Sequence, residues 1–149
     1  MLLRVSTKGR YGLQAMLDLA LYSRADHVAL GSIAERQDIS ANYLEQIFSS
    51  LRKAGLVKSI KGAQGGYILG DKPDRITVGQ ILRVLEADLF LTGDEEQDKG
   101  EFNVEACLRL SVWDKMQAQI NYLVDNITLE DLKDDYERMR GNASLMYYI

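Results

Sequence analysis

The side chains with the most recognisable chemistry occupy one face of a short predicted helix near the middle of the chain. Apolar residues recur there at helical spacing, which leaves a second face turned away from the core. The apolar set is Leu44, Ile47, Phe48 and Leu51, and the outer set is Asn42, Tyr43, Glu45, Gln46, Ser49, Arg52 and Lys53. Amide side chains pair well with adenine in the DNA major groove, and a carboxylate accepts a hydrogen bond from the cytosine amino group. The outer face can therefore read base edges, although a face that is simply solvated has the same composition.

Residues 32–67 supply the elements that must position this face. Ser40 is a good N-cap for the polar helix, and Gly55 follows its last periodic turn, where a left-handed residue is favoured. A shorter helix comes before it, with Ile33, Ala34 and Ile39 on its buried side and Glu35, Arg36 and Gln37 outside. Two helices joined by a tight turn form a helix-turn-helix, whose second helix points its N-terminal residues at base edges.

A glycine-rich hairpin follows the second helix at once. The β-prone run 56–60 can pair with residues 67–69, and the glycines between them allow a thin loop. Lys61 stands at the base of that loop, and a thin cationic finger suits a narrow, electronegative minor groove. An ordinary hairpin with a surface lysine is the other interpretation. The pattern predicts a mainly α fold: a winged helix-turn-helix with a small two-stranded β-hairpin wing and a long C-terminal dimerisation helix.

Four collinear motifs resemble the Rrf-two family of bacterial winged-helix transcriptional regulators. They are residues 6–12 (STKGRYG), 40–46 (SANYLEQ), 51–57 (LRKAGLV) and 62–67 (GAQGGY), and the resemblance is closer over residues 1–90 than beyond. It implies a sequence-specific repressor or activator that acts as a homodimer. It also implies that Asn42, Tyr43, Glu45 and Gln46 lie at the DNA and that Lys61 is the wing cation.

The first helix of the chain can add a phosphate contact. Ser6 or Thr7 can cap it, and Lys8 and Arg10 lie in its first turn, where the helix dipole disfavours cations unless an anion binds there. A DNA phosphate would supply that anion, and such contacts fix register without reading sequence. With Arg52, these cations complete the predicted DNA-binding set. The spacing predicts an inner face formed by Leu13, Met16, Leu17, Ala20 and Leu21.

Charge is divided between the two halves of the chain. The whole carries −4, but residues 1–75 carry +4 and residues 76–149 carry −8, so the first half suits DNA and the second repels it. No apolar segment has the length of a membrane span or the form of a leader, which predicts a cytoplasmic protein with no membrane partner. A single histidine and a single cysteine, without nucleophile–base or metal-ligand spacing, indicate that the chain is not an enzyme.

The acidic half is interpreted as an assembly device. Thr77 and Gln80 fit a capping box before a helix, and a long helix should run over about residues 102–126. The helix after the capping box is predicted to bury Val78, Ile81, Leu82 and Leu85. The long helix has two apolar stripes. One comprises Ala106, Leu110, Trp113, Gln117, Ile120, Val124 and Ile127, and the other comprises Leu108, Val112, Met116 and Leu123. We predict a DNA-binding domain over residues 1–86, a polar loop over 87–101, and the dimerisation helix, a short helix and a tail over 102–149.

Two apolar stripes exceed what a small monomer needs, which predicts a homodimer. The predicted interface comprises Leu110, Trp113, Gln117, Ile120 and Val124. A twofold dimer would place its two readers on half-sites about 34–36 Å apart or a multiple of it, hence on double-stranded DNA with a near-palindromic operator. The alternative is that both stripes pack within one chain.

The resemblance to the family does not determine which signal the protein senses. In the iron–sulfur branch of the family three cysteines in the loop and early long helix hold the cluster, whereas residues 87–107 contain only Cys107 here. Such clusters normally need four ligands, and His27, the only histidine, is distant along the chain. We therefore expect no cofactor, and the chain resembles the CymR-like, cluster-free branch. Cys107 is most simply a small buried apolar residue; a thiol switch is the alternative.

The C-terminal residues suggest a protein partner. Residues 128–131 should cap a last short helix that ends at Gly141 and Asn142, before an apolar tail. The tail resembles the ending of that branch and the tail by which serine acetyltransferase enters O-acetylserine sulfhydrylase. A carboxylate beside an apolar side chain suits an amino-acid site, so Tyr147, Tyr148 and Ile149 are candidate partner-binding residues; otherwise the tail folds back onto the dimer.

Three functions therefore compete. The first is a DNA-binding repressor of sulfur or cysteine metabolism genes, modulated by O-acetylserine sulfhydrylase. The second is an iron–sulfur or redox-sensing transcriptional regulator. The third is a protein-interaction module that keeps a winged-helix shape without reading DNA.

Overall fold

The computed structural model describes residues 5–23, 26–86 and 101–147, and these fold into helices with one small hairpin. In chain order the elements are α1 (Thr7–Tyr22), α2 (Leu30–Gln37), α3 (Ala41–Lys53), β1 (Val57–Ile60), β2 (Gly66–Leu69), a 3-10 turn (Pro73–Arg75), α4 (Val78–Leu85), α5 (Val104–Leu108), a π-helical turn (Arg109–Trp113), α6 (Asp114–Asp125) and α7 (Leu129–Tyr147). Most of the predicted loop 87–101 lies outside the described residues.

Ser6 caps helix α1, and its hydroxyl accepts a hydrogen bond from the Gly9 amide at 3.1 Å. Its buried face differs from the predicted one by a partial rotation about the helix axis. The buried set is Gly9, Gly12, Ala15, Met16, Asp18, Leu19 and Ala20, whereas Leu13, Leu17 and Leu21 are half-buried. The spacing of apolar residues alone predicted a different face, because the buried face includes two glycines and a carboxylate.

Asp18 is almost completely buried between α1 and α2. The Arg36 guanidinium donates to both carboxylate oxygens, at 2.8 and 2.9 Å, and the Gln37 amide donates to one of them at 2.7 Å. The hydrogen bond to Asp18 raises the pKa of Arg36, whose guanidinium also lies 4.1 Å from the centre of the Tyr22 ring. Arg36 and Gln37 were predicted to stay outside the core. The structure corrects this, because both side chains bind the buried Asp18 carboxylate, which requires partners.

The helix-turn-helix is confirmed in its details. Asp38 ends α2 in the left-handed region at φ 53°, and the Ser40 hydroxyl then caps α3 by accepting from the Tyr43 amide at 3.2 Å. The inward face of α3 is the predicted one, with Leu44, Ile47, Phe48 and Leu51 buried. Gly55 follows at φ 79°, the left-handed residue expected after the last turn.

The two strands form an antiparallel hairpin, which is the wing. Val57 pairs with Leu69 at its base and Ile60 with Gly66 at its end. The strand β2 also pairs on its other side with Val28, through reciprocal backbone hydrogen bonds between Val28 and Tyr67 at 2.8 and 2.9 Å. The hairpin is therefore joined to the segment between α1 and α2.

Helices α4 and α7 complete the core. The capping box of Thr77 and Gln80 is formed in both directions, at 3.0 and 3.1 Å, and α4 buries its predicted residues. A short bridge between Thr77 and Thr128 brings the start of α7 beside α4, and Leu129 is fully buried in the main core. Thr128 and Asp131 cap α7 reciprocally, as predicted.

Residues 104–125 form the predicted long helix, interrupted by the π-helical turn. Asp125 near its end pairs with Arg83 of α4, and this hydrogen bond lowers the pKa of Asp125 and raises that of Arg83. No residue of this helix is buried in the single chain. The second apolar stripe is largely exposed, and Cys107 is exposed as well. The expectation of a buried Cys107 is therefore wrong for the single chain, because nothing in the described residues covers that face.

Helix α7 continues to Tyr147, so the predicted end at Gly141 and Asn142 is wrong. The last helix is 19 residues long rather than short, and Leu145 is 65% exposed in the single chain. Tyr148 and Ile149 lie outside the described residues.

Candidate nucleic-acid interface

The outer face of α3 presents hydrogen-bonding groups near its N-terminus. Asn42, Glu45 and Gln46 are exposed and, with Ser49, line one shallow depression. Their spacing of three and four residues places them one above another on the same side of the helix. None of their side chains forms a hydrogen bond or an ion pair within the described chain, so amide donors, amide acceptors and a carboxylate are all available to a partner.

Tyr43 has a different environment from its neighbours. Its ring is half-buried, packs against the main core, and meets the Tyr11 ring edge-on with 6.1 Å between centroids. Such pairs favour edge-to-face geometry. Tyr43 therefore links α3 to α1 as well as belonging to the predicted DNA-facing set. Tyr11 lies within the STKGRYG motif, but sequence reasoning assigned it no role.

A groove separates α3 from the wing, and its two cations lie on opposite walls. Arg52 belongs to the last turn of α3 and Lys61 to the turn of the wing; Glu45 and Ser49 also line the groove. Both cations are exposed, and in the described part of the chain neither forms an ion pair. Such cations remain free to neutralise phosphates, which contributes most of the salt-dependent affinity for DNA.

The N-terminus of α1 carries two further cations and an unexpected anion. Lys8 is half-buried and Arg10 is exposed, and no ion pair holds either of them among the described residues. The Glu86 carboxylate accepts hydrogen bonds from the Ser6 amide at 2.8 Å and the Ser6 hydroxyl at 2.5 Å. An internal carboxylate therefore already lies at the position where a phosphate was expected. Sequence reasoning missed Glu86 because it is 80 residues distant along the chain.

The residues present do not fit an iron–sulfur cluster of the cysteine-ligated kind. The whole sequence contains one cysteine, and such clusters take several thiolates. In the described residues no group of three or more histidine, cysteine, aspartate or glutamate side chains is arranged to hold a metal ion. Cys107 has the Ser111 hydroxyl 4.0 Å from its sulfur. The described helices also include none with both the length and the apolarity to cross a bilayer.

Known proteins are similar to this chain in sequence and in fold. The model of the Rrf2 family, described as an iron-dependent transcriptional regulator, matches residues 5–135. The chain is 44% identical over 133 residues to the transcriptional regulator CymR of Bacillus subtilis, covering 87% of this chain and 89% of that one. It is 41% identical over 135 residues to IscR of Aliivibrio salmonicida, covering 91% and 80%.

The solved structures agree. The structure of CymR, the global cysteine regulator of B. subtilis, matches with a TM-score of 0.75 at 43% identity, covering 89% of this chain and 98% of that one. IscR of T. potens matches with a TM-score of 0.75 at 50% identity, covering 92% and 90%. This chain therefore belongs to the Rrf2 (Rrf-two) family of winged-helix transcriptional regulators, which bind DNA and are not enzymes.

Proposed function

We propose that this chain is a sequence-specific regulator that reads base edges with Asn42, Glu45 and Gln46. The observation that carries the proposal is that these three side chains are exposed together and have no partner within the described chain. Tyr43 supports the helix from its half-buried position. The cations Arg52 and Lys61 line the groove beside this surface. In the proposed complex Lys61 enters the minor groove, and Arg52, Lys8 and Arg10 contact the DNA backbone.

We further propose that the active form is a homodimer on a near-palindromic operator. Leu110 is 55% exposed and Trp113 is 43% exposed, which is costly for large apolar side chains in a monomer. Gln117, Ile120 and Val124 are half-buried, and Val124 already packs against Val78 and Leu82 of its own chain. Val124 therefore anchors the long helix, and the more exposed residues contribute most of the dimer contact.

The proposed target genes are those of sulfur or cysteine metabolism, which the protein represses. This rests on the similarity to CymR, the global cysteine regulator of B. subtilis, at 43–44% identity along nearly the whole chain. Mapping genomic binding sites with and without cysteine starvation tests it. Sites upstream of sulfur-assimilation genes that empty on starvation are expected, and occupancy that ignores cysteine supply would contradict the proposal.

Base reading is tested on a duplex selected from a randomised pool. Gln46→Ala should weaken binding to that duplex by about 1–3 kcal/mol, the usual value of a bidentate base contact, and should leave binding to random DNA unchanged. The matched control is Gln119→Ala, which removes an exposed glutamine from α6. Equal losses on selected and random DNA would mean that Gln46 does not read sequence.

O-acetylserine sulfhydrylase is the proposed modulating partner, bound through Tyr147, Tyr148 and Ile149. The helix α7 runs to Tyr147 and Leu145 is exposed, so the last described turn of α7 presents an apolar side chain to a partner. A variant ending at Tyr147 should lose binding to the sulfhydrylase in a calorimetric titration while keeping its DNA affinity. Unchanged binding to the enzyme would remove this partner from the proposal.

An iron–sulfur or redox-sensing regulator is the second candidate. The iron-dependent description of the family and the IscR relatives favour it, whereas the single cysteine counts against it. Anaerobic purification followed by absorption spectroscopy and iron analysis separates the two. A coloured, iron-containing protein would support this second candidate, and a colourless, iron-free one would dismiss it.

A further inference from the structure

The strand β2 of the wing is firmly attached to the body of the domain. The paired backbone hydrogen bonds between Val28 and Tyr67 hold β2, and the Tyr67 ring packs on Phe48 with 4.8 Å between centroids. Gly66 lies so close to the Val28 backbone that a Cβ there would collide with it. The strand β2 therefore cannot move without disturbing the core.

The wing tip, defined as residues 61–65, has fewer restraints. Within the tip, the Gly65 amide donates to the Gly62 carbonyl at 3.0 Å, and Gly62 has φ 127° with open space around it. Across the described residues, one hydrogen bond reaches the tip from outside the hairpin: His27 Nε2 donates to the Gln64 carbonyl. Among the described residues, this imidazole is therefore the hydrogen-bonding contact that restrains the tip, which includes Lys61, from outside the hairpin.

Both ring nitrogens of His27 face hydrogen-bond acceptors. Nε2 faces the Gln64 carbonyl, and Nδ1 lies 2.7 Å from Asp26 Oδ1. A carbonyl and a carboxylate only accept, so each nitrogen must carry a proton to make its bond. The imidazolium ion makes both bonds at once. The neutral ring keeps one proton, which favours Nδ1 because the Asp26 carboxylate is a stronger acceptor than a carbonyl oxygen, so the neutral ring gives up the bond to Gln64.

The surroundings of His27 contain fixed charges of both signs. His27 and Asp26 share a shallow depression with Asp71, which follows β2, and with Glu130 and Lys133 of α7. Lys133 lies 3.6 Å from Glu130. Carboxylates and lysine amines generally keep their charge between pH 6 and 8, while histidine changes its charge there. His27 is the only histidine in the sequence, so its ring signals are readily assigned.

We propose that His27 is a positioning residue for the wing: its imidazolium form holds the Gln64 carbonyl, fixes the wing tip and so presents Lys61 to DNA. The proposal rests on the proposed DNA-reading function and adds a residue outside the DNA-facing set. Operator affinity then rises as the pH falls from 8 to 6. The gain should be about three- to tenfold, the range that corresponds to one net hydrogen bond.

The contact itself can be tested without DNA. In protein labelled with ¹⁵N-histidine and ¹³C-carbonyl glutamine, the single histidine should show two slowly exchanging ring N–H protons at pH 6 and a coupling from Nε2 to the Gln64 carbonyl carbon. Asp26→Asn should weaken the Nδ1–H signal and keep the coupling at Nε2 at pH 6. Ring signals like those of free histidine, with no coupling to Gln64, would overturn the proposal.

The consequence for DNA is tested on the selected duplex at pH 6 and pH 8. Wild type should show the three- to tenfold response, and His27→Gln, whose amide does not titrate, should show none. Protonation also adds a positive charge, so the same measurement is made in Lys61→Gln. Loss of the pH response there means that His27 acts through the wing tip, and an undiminished response in either variant overturns the proposal. If no duplex can be selected at all, the DNA-reading function fails, and the spectra alone decide whether His27 holds the tip.

Discussion

Asp18 places a carboxylate inside an apolar core, and its partner Arg36 is partly exposed. Removing one partner of a buried pair leaves an uncompensated charge, which typically costs 3–5 kcal/mol, and removing an exposed charge costs far less. Since the guanidinium of Arg36 makes two hydrogen bonds to Asp18 and Gln37 adds a third, the carboxylate depends on all of them. This polar cluster therefore adds to the apolar packing that holds α1 against α2.

Arg36→Ala should lower the free energy of unfolding by about 3 kcal/mol, because it strands the buried carboxylate. Urea denaturation monitored by circular dichroism measures the change. The matched control is Glu35→Ala, which removes the neighbouring exposed charge and should change stability by less than about 0.5 kcal/mol. If the two variants unfold at the same urea concentration, Asp18 is not held by Arg36.

At the scale of single elements, Gly141 lies inside α7, and a Cβ built there meets nothing within 4 Å. Glycine in a helix interior is less favourable than alanine by about 0.5–1 kcal/mol. Gly141→Ala should therefore stabilise α7 by that amount and raise the helical signal in circular dichroism. Gly62→Ala is the matched contrast: it also enters open space, but at φ 127° alanine is strained, so it should destabilise the protein. A loss of stability in Gly141→Ala would mean that the helix ends there after all.

The elements that sequence predicts well are those whose signals are local. Ser40, Gly55 and the box of Thr77 and Gln80 cap their helices as expected, because a cap needs only three or four neighbouring residues. Asp18 was missed because its partner lies in another helix. The extension of α7 through Gly141 was missed because glycine and asparagine end helices often but not always.

In the candidate site, too, local features were predictable from the sequence and contacts between distant parts of the chain were not. The exposure of Asn42, Glu45 and Gln46 follows from the periodicity of one helix, and it was predicted. The contact of Glu86 with Ser6 and that of His27 with the wing tip join distant parts of the chain, and neither leaves a sequence signal. The exposure of Cys107 depends on which surface covers the long helix, which periodicity alone does not reveal.

At the scale of the whole molecule, the two halves of the chain differ in net charge and in exposed apolar surface. The first half is basic and carries the proposed DNA surface; the second is acidic and exposes large apolar side chains along residues 104–125. In the proposed homodimer, a second copy of the chain covers this face and doubles the DNA contact, while the acidic halves stay away from the phosphates. The proposed homodimer therefore accounts for both asymmetries together.

Trp113→Glu should separate the dimer, because it places a charge at the centre of an apolar contact where aromatic residues contribute most. Sedimentation velocity should show a monomer at micromolar concentration, and affinity for the selected duplex should fall by at least about a hundredfold as the second reader is lost. The added negative charge could by itself weaken DNA binding, so Ala118→Glu is the control. Ala118 is exposed on the same helix but points about 140° away around its axis. It should remain a dimer with nearly full affinity; if both variants behave alike, Trp113 does not lie in the interface.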